Sequence, residues 1–343
     1  MNGHTKRSLP FLVISSILLI ILALVSLGLG PAQISLNQTI SILTDGPNHS
    51  ESPAYSMSQR NIIWNLRLPR VLTSIVAGMA LALAGVVFQA LFHNPMADPC
   101  VLGISSGAAF GVALAAFLGI IGGATGTWSV PSVAFLGAIG ASIAIFILSG
   151  GVHRSPVTLL LTGVALNFLL SALMTLFMFL NRSHLQSIMQ WTLGSFSTAN
   201  WDKLLVMTIC VIIGSAPLFI MTRELDILLL DEPSGLSVGV PLKTIRIILL
   251  LLSTLITSVT VSFCGVIGFV GLMVPHIVRL IVGPRHKLLL PCSLVGGALM
   301  MLVADTISRT VLGASELPVG VVTSIAGAPL FIILLVNRAK EAR

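Results

Sequence analysis

The sequence predicts an all-α polytopic membrane protein with about ten transmembrane helices, and three observations carry that reading. Of 343 residues, 55% are hydrophobic and only 8% are charged, with a mean hydropathy of +1.04; soluble domains carry roughly 25% charged residues. Apolar runs close to the ~20 residues that cross a hydrocarbon core recur from one end of the chain to the other. The bases stand at the ends of those runs instead of clustering on one face, as topology signals and lipid contacts do. The net charge of +7 therefore gives no indication of nucleic-acid binding.

The elements follow in order. Lys6 and Arg7 precede an apolar run that is longer than a signal-peptide core of roughly 7–15 residues, and no clear small-residue cleavage site follows. It reads as a retained first span. The candidate spans are 10–30, 70–92, 103–121, 131–150, 157–180, 203–221, 244–264, 268–282, 288–312 and 318–336. The eighth is short and interrupted by Pro275, which is tolerated at membrane depth where protein or a water-filled path covers the backbone. An even number of spans puts both termini on one side. The chain reads as a single transmembrane domain over 1–343, with a loop at 31–66 rich in Ser, Asn and Pro, and a second polar segment at 222–243. A shorter amphipathic stretch, 181–201, carries Trp191 and Trp201, residues suited to the membrane interface.

Orientation follows from the bases. With the amino terminus inside, Lys6, Arg7, Arg154, Arg223, Lys243, Arg246, Arg279, Arg285, Lys287, Arg338, Lys340 and Arg343 are cytoplasmic; Arg60, Arg67, Arg70, Arg182, Lys203 and Arg309 fall outside. That division obeys the positive-inside bias and puts 31–66 outside and 222–243 inside. Arg67, Arg70 and Arg309 run against the trend. Snorkelling to lipid head groups is one reading of them; docking of an acidic soluble partner through bidentate guanidinium–carboxylate pairs is the other.

Several chemistries are disfavoured. The run "ILLLDEPSG" (227–235) looks like the metal-binding strand of a P-loop ATPase, but such a site also needs G-x-x-x-x-G-K-[ST], and no Gly-Lys pair occurs in the chain. The seven histidines are isolated, no H-E-x-x-H run appears, and the four cysteines form no C-x-x-C pair; no metal site or cofactor is expected. A proton- or sodium-driven carrier normally holds unpaired acids within its spans. Here the clearest one, Asp305, has Arg309 at i+4, where the two can neutralise each other. Glycine is plentiful, with 31 residues, and reads first as close helix packing. "LPRVLTSIVAG" (68–78) and "LPVGVVTSIAG" (317–327) look alike, but a shared need for proline near a helix start explains this better than duplication does.

Five stretches together resemble the permease subunits of ABC importers for iron chelates and cobalamin: "RLPRVLTSIVAGMALALAGVVFQALFHNPMADPCVLGISSGAAFG" (67–111), "WTLGSFSTANW" (191–201), "LDILLLDEPSGLSVGV" (225–240), "GFVGLMVPHIVRLIVGPRHKLLLP" (268–291) and "ADTISRTVLGASELPVGVVTSIAGAPLFI" (304–332). The resemblance implies a ten-helix, cobalamin-importer-permease-like subunit in the bacterial cytoplasmic membrane, with both termini cytoplasmic. It implies pairing with a second permease subunit, two ATP-binding cassette ATPases below and a substrate-binding protein docking from outside. By the same resemblance, Arg67, Arg70 and Arg309 meet the binding protein. Leu225, Asp226, Glu232 and Gly239 belong to coupling helices (about 224–241) that fit the ATPases, although Asp231, Pro233 and Gly235 depart from the family pattern. Asn94, Met96, Pro156 and Val157 match a cytoplasmic gate, and Asn167, Ser171 and Thr175 match the translocation path. The implied function is import of a ferric siderophore or haem, with cobalamin as the alternative cargo and an ion-coupled secondary carrier as the alternative of a different class. ATP hydrolysis is expected on a separate subunit.

Overall fold

The ten apolar runs fold as helices in a computed structural model that describes residues 3–47, 54–121, 127–151, 156–229, 241–313 and 315–341. The spanning helices are α1 (Gly3–Gly28), α4 (Leu68–Leu91), α5 (Ile104–Phe117), α6 (Ser129–Leu148), α7 (Pro156–Leu180), α9 (Trp201–Ile220), α11 (Leu242–Cys264), α12 (Val270–Val282), α13 (His286–Thr310) and α14 (Val319–Glu341). Short helices fill the connections: α2 (Leu36–Asp45), α3 (Met57–Asn61), α8 (Leu185–Thr192) and α10 (Thr222–Leu228). Among the described residues, seven helices are long and apolar enough to cross a membrane, while α5, α12 and the apolar part of α14 are shorter.

Burial separates two kinds of helix that composition alone makes look the same. Helix α4 is sheathed by α13, α11, α12 and α9, and 78% of its most apolar window is inside the protein; for α7 the figure is 6%. An all-round apolar helix needs apolar surroundings; α4 finds them inside this chain, whereas α7 is left largely exposed. Small residues decide it. A Cβ on Gly78 would lie 2.1 Å from the Gly297 carbonyl oxygen, and one on Gly85 would lie 1.8 Å from that of Gly271. Backbone thus meets backbone where α4 crosses α13 and α12. Gly107 and Gly111 of α5 meet Gly137 of α6 in the same way. The packing expected from glycine abundance is present.

Helix α12 has only 13 residues, about 20 Å at 1.5 Å per residue, against a core of about 30 Å. Its internal Pro275 lacks the N–H that would bond the Gly271 carbonyl. Gln89 of α4 compensates: its Nε2 donates to the Leu272 carbonyl at 3.0 Å and reaches that of Gly271 at 3.5 Å.

The described parts of the segment 31–66 are more ordered than its loop-like composition predicts. Ser35 and Gln38 form a capping box before α2, and Ser56 and Gln59 form another before α3. The spellings S-L-N-Q and S-M-S-Q carried that signal. A π-helical turn, Ile62–Arg67, then joins α3 to α4 without a break. The amphipathic stretch expected at 181–201 is a 3-10 turn followed by α8, whose Ile188 is buried.

Candidate functional site

Three guanidinium groups converge at one end of the bundle. Arg67 closes the π-turn, and its Nη1 donates to the carbonyls of Leu27 (2.7 Å) and Gly28 (2.9 Å) while Nη2 donates to that of Ala32 (2.5 Å). The first two are acceptors at the C-terminal end of α1, which a helix leaves without intrahelical partners and with partial negative charge; Ala32 lies just beyond it. Arg309, in the last turn of α13, grips the same end: Nη2 donates to Ser26 Oγ (2.5 Å) and to the Ser26 carbonyl (3.3 Å), and Nη1 donates to the Leu29 carbonyl (3.3 Å).

Arg70 and Arg309 share one carboxylate. Arg70 Nε donates to Asp305 Oδ1 at 2.9 Å, and Arg309 Nε lies 3.1 Å from Oδ2. The second contact is an ion pair whose alignment falls short of a hydrogen bond. The i+4 pairing read from the sequence is present, with Arg70 as an added partner from 235 positions away. Arg70 Nη1 also takes both oxygens of Glu316, at 2.8 and 2.9 Å. Asp305 is fully buried and the three arginines are 3–7% exposed, so each spends its guanidinium inside the chain; among the described residues of the cluster, only Glu316, at 37% side-chain exposure, opens it to the surface. Burying a charge this deeply requires such partners. Sequence spacing gave no sign of Glu316, Ser26 or the α1 carbonyls.

Beside this cluster a cavity of about 630 Å³ lies among α5, α6, α8 and the start of α14, lined by Val112, Ile188, Gln190, Ser197, Lys203 and Glu316 among others. Lys203 Nζ is held by the Thr198 carbonyl at 3.1 Å.

Helix α7 presents the residues expected along the path. Ser171 and Thr175 are exposed on one stripe with Leu161, Val164, Phe168 and Phe179. Asn167 is turned toward α5, where its Oδ1 accepts from Ser106 Oγ at 2.5 Å. At the start of α7, Val157 is exposed and Pro156 forms the first helical position.

At the opposite end, α4 stops at Leu91, His93 follows with φ +48, and it leads into the turn Asn94–Met96. Asn94 Oδ1 accepts the Met96 N–H at 3.0 Å, and Asp98 Oδ1 accepts that of Cys100 at 2.7 Å. Desolvation raises the Asp98 carboxyl above its ordinary value, and the Cys100 N–H opposes the shift. Helix α10 lies against this end. Leu225 is fully buried, and Asp226 Oδ1 accepts from the backbone N–H (3.0 Å) and Nδ1 (2.7 Å) of His286. Glu232 and Gly239 lie outside the described residues. The letters Gly103–Gly107 spell G-x-S-x-G, but that motif works as a strand-to-helix elbow. Here a 3-10 turn precedes α5, and Ser105 is buried.

The FecCD transport family matches residues 18–337. The hemin transport system permease protein HmuU of Yersinia pestis is 35% identical over 99% of both chains. The vitamin B12 import system permease protein BtuC of Salmonella paratyphi A is 39% identical over 81% of this chain and 84% of its own. A solved inward-facing conformation of a metal-chelate type ABC transporter superposes with a TM-score of 0.82 at 34% identity, covering 95% of this chain and 98% of that one. The helix order, the buried α4 and the near-full-length match lead to one conclusion: this chain belongs to the FecCD transport family.

Proposed function

We propose that this chain is the membrane-spanning subunit of an ATP-driven importer that carries an iron chelate, either a ferric siderophore or haem, into a bacterial cell. The observation that carries the reading is membership of a transport family over residues 18–337 in a chain with no Gly-Lys pair and hence no P-loop. The energy must then come from separate ATPase subunits. Both termini and α10 face the cytoplasm in this reading, and the arginine cluster faces outward, in keeping with the positive-inside division of the bases.

The remaining roles follow from that sidedness. A binding protein delivers cargo at the rim around Arg67, Arg70 and Arg309. Arg70 is the member its carboxylates reach, by competing with the half-exposed Glu316. The exposed stripe of α7, with Ser171 and Thr175, faces a second permease subunit and lines the path with Asn167 behind it. Asn94 and Met96, with Pro156 and Val157, close the cytoplasmic end. Leu225, Asp226, Glu232 and Gly239 seat the ATPases. Weakly polar walls suit a conduit that must release its cargo, and only a difference in affinity between states lets ATP drive that release.

Cobalamin is the second reading, favoured by the 39% identity to a vitamin B12 permease. The deciding experiment reconstitutes the permease with its ATPase and binding protein in vesicles and measures uptake of iron-loaded siderophore, haem and cobalamin. ATP-dependent iron-chelate uptake supports the proposal. Uptake driven by an ion gradient without ATP would replace it with a secondary carrier.

A further inference from the structure

Helix α10 is fastened twice, to two different helices. At its middle, Asp226 Oδ1 accepts the His286 N–H and Nδ1–H at 3.0 and 2.7 Å. His286 opens α13, so this carboxylate, fetched from 60 positions away, satisfies an orphan donor at the positive end of the α13 dipole. At the far end of α10, the Leu228 carbonyl accepts from His93 Nε2 at 2.5 Å. A carbonyl can only accept, so this proton sits on Nε2. His93 stands two positions beyond the end of α4 in a left-handed turn, φ +48, a conformation uncommon for a residue with a Cβ. The buried side chains Leu225, Ile227 and Leu228 fill the space between the two ties, and α10 packs on both α4 and α13.

Those two helices are packed as one unit. They touch backbone to backbone at Gly78 and Gly297 and are locked again at the other end by Arg70 and Asp305. His93 also leads straight into the Asn94–Met96 turn, where the Asn94 N–H bonds back to the Gln89 carbonyl at 3.2 Å. A displacement of α10 therefore reaches the end of α4, the start of α13 and the gate turn together.

We propose that His93 and the Asp226–His286 pair are positioning residues that tie α10 rigidly to the α4–α13 pair, so that ATPase movement delivered to α10 is passed to the gate turn without slippage. This rests on the reading of α10 as the ATPase-contacting segment. His93 acts through the Leu228 carbonyl and His286 through the Asp226 carboxylate.

The test uses the assembled complex in lipid nanodiscs and vesicles, with ATP hydrolysis, cargo uptake and ATPase co-purification measured on the same preparations. His93→Ala and His286→Ala are expected to retain the ATPase and hydrolyse ATP, while cargo moved per ATP falls at least about tenfold, within the roughly hundredfold that a 1 Å misplacement far from a site can cost. His93→Gln, which keeps an N–H donor, is expected to recover most of the loss. Unchanged cargo per ATP in both alanine variants overturns the proposal. Because the variants can also fail to assemble, a second measurement uses otherwise wild-type protein labelled at the exposed positions Arg223 and Lys287. Their separation should stay within about 2 Å between nucleotide-free and ATP-bound states, the range of a rigid contact. A larger change in a complex that transports normally overturns the tie alone. A wild-type complex that shows no ATP-driven uptake overturns the functional reading together with the tie.

Discussion

Arg70 and Asp305 stand 235 positions apart and meet at 2.9 Å in the seam between α4 and α13. Asp305 is wholly buried and serves two guanidinium groups, Arg70 and Arg309. The carboxylate is the hub of the cluster, so its charge matters more to the fold than that of either arginine.

Replacing Asp305 by Asn should therefore destabilise the protein by about 3–5 kcal/mol, the cost of leaving buried charge uncompensated. Thermal unfolding in detergent or nanodiscs measures this. A loss under about 1 kcal/mol, the range of an exposed pair, would show that water reaches the cluster.

Arg67 makes its bonds as a planar fork to three carbonyls around the end of α1. A lysine presents a point charge and cannot span them. Arg67→Lys should therefore loosen α1 nearly as much as Arg67→Ala, each costing about 1–3 kcal/mol for the buried acceptors left unmet. Protease access to residues 28–34 reads the loosening, and wild-type protection in the lysine variant would contradict it.

Glycines divide by what a methyl group would strike. Gly85→Ala puts a carbon 1.8 Å from a backbone oxygen, whereas a Cβ on Gly140 meets nothing within 4 Å. Gly85→Ala should abolish folded expression, and Gly140→Ala should leave it unchanged or gain up to about 1 kcal/mol from helix propensity. Yield and fluorescence-detected size exclusion distinguish the two; equal behaviour would refute the close approach of α4 and α12.

Docking, in the proposed role, can be tested without replacing a buried residue. Glu316 holds Arg70 Nη1 at the surface, so Glu316→Gln frees an arginine for an acidic partner. Affinity for the binding protein should rise several-fold at low salt, and the gain should shrink near physiological ionic strength, where the Debye length is about 8 Å. No change at either salt concentration would count against this rim as the docking surface.

Much of the fold was legible in the chain. Span boundaries matched the helices because crossing a bilayer is a local demand on about 20 consecutive residues. Pro275 marked α12 as the short helix for an equally local reason. The capping boxes at Ser35 and Ser56 were also written plainly, in a segment whose composition looked like loop. The arginines show the opposite case. Arg67, Arg70 and Arg309 stood out as misplaced bases, but where each guanidinium points depends on the π-turn at 62–67 and on where α1 ends.

By itself, then, the sequence determined which segments are apolar helices and that the chain belongs among transport permeases, since hydropathy, caps and family motifs are properties of neighbouring residues. Only the tertiary structure decided that α4 is core while α7 is exposed, that Arg70 meets Glu316 across 246 positions, and that α10 is held by His93 and His286. The reason is physical: helix formation and bilayer insertion respond to local composition, whereas burial and charge pairing depend on which helices pack together and at what register.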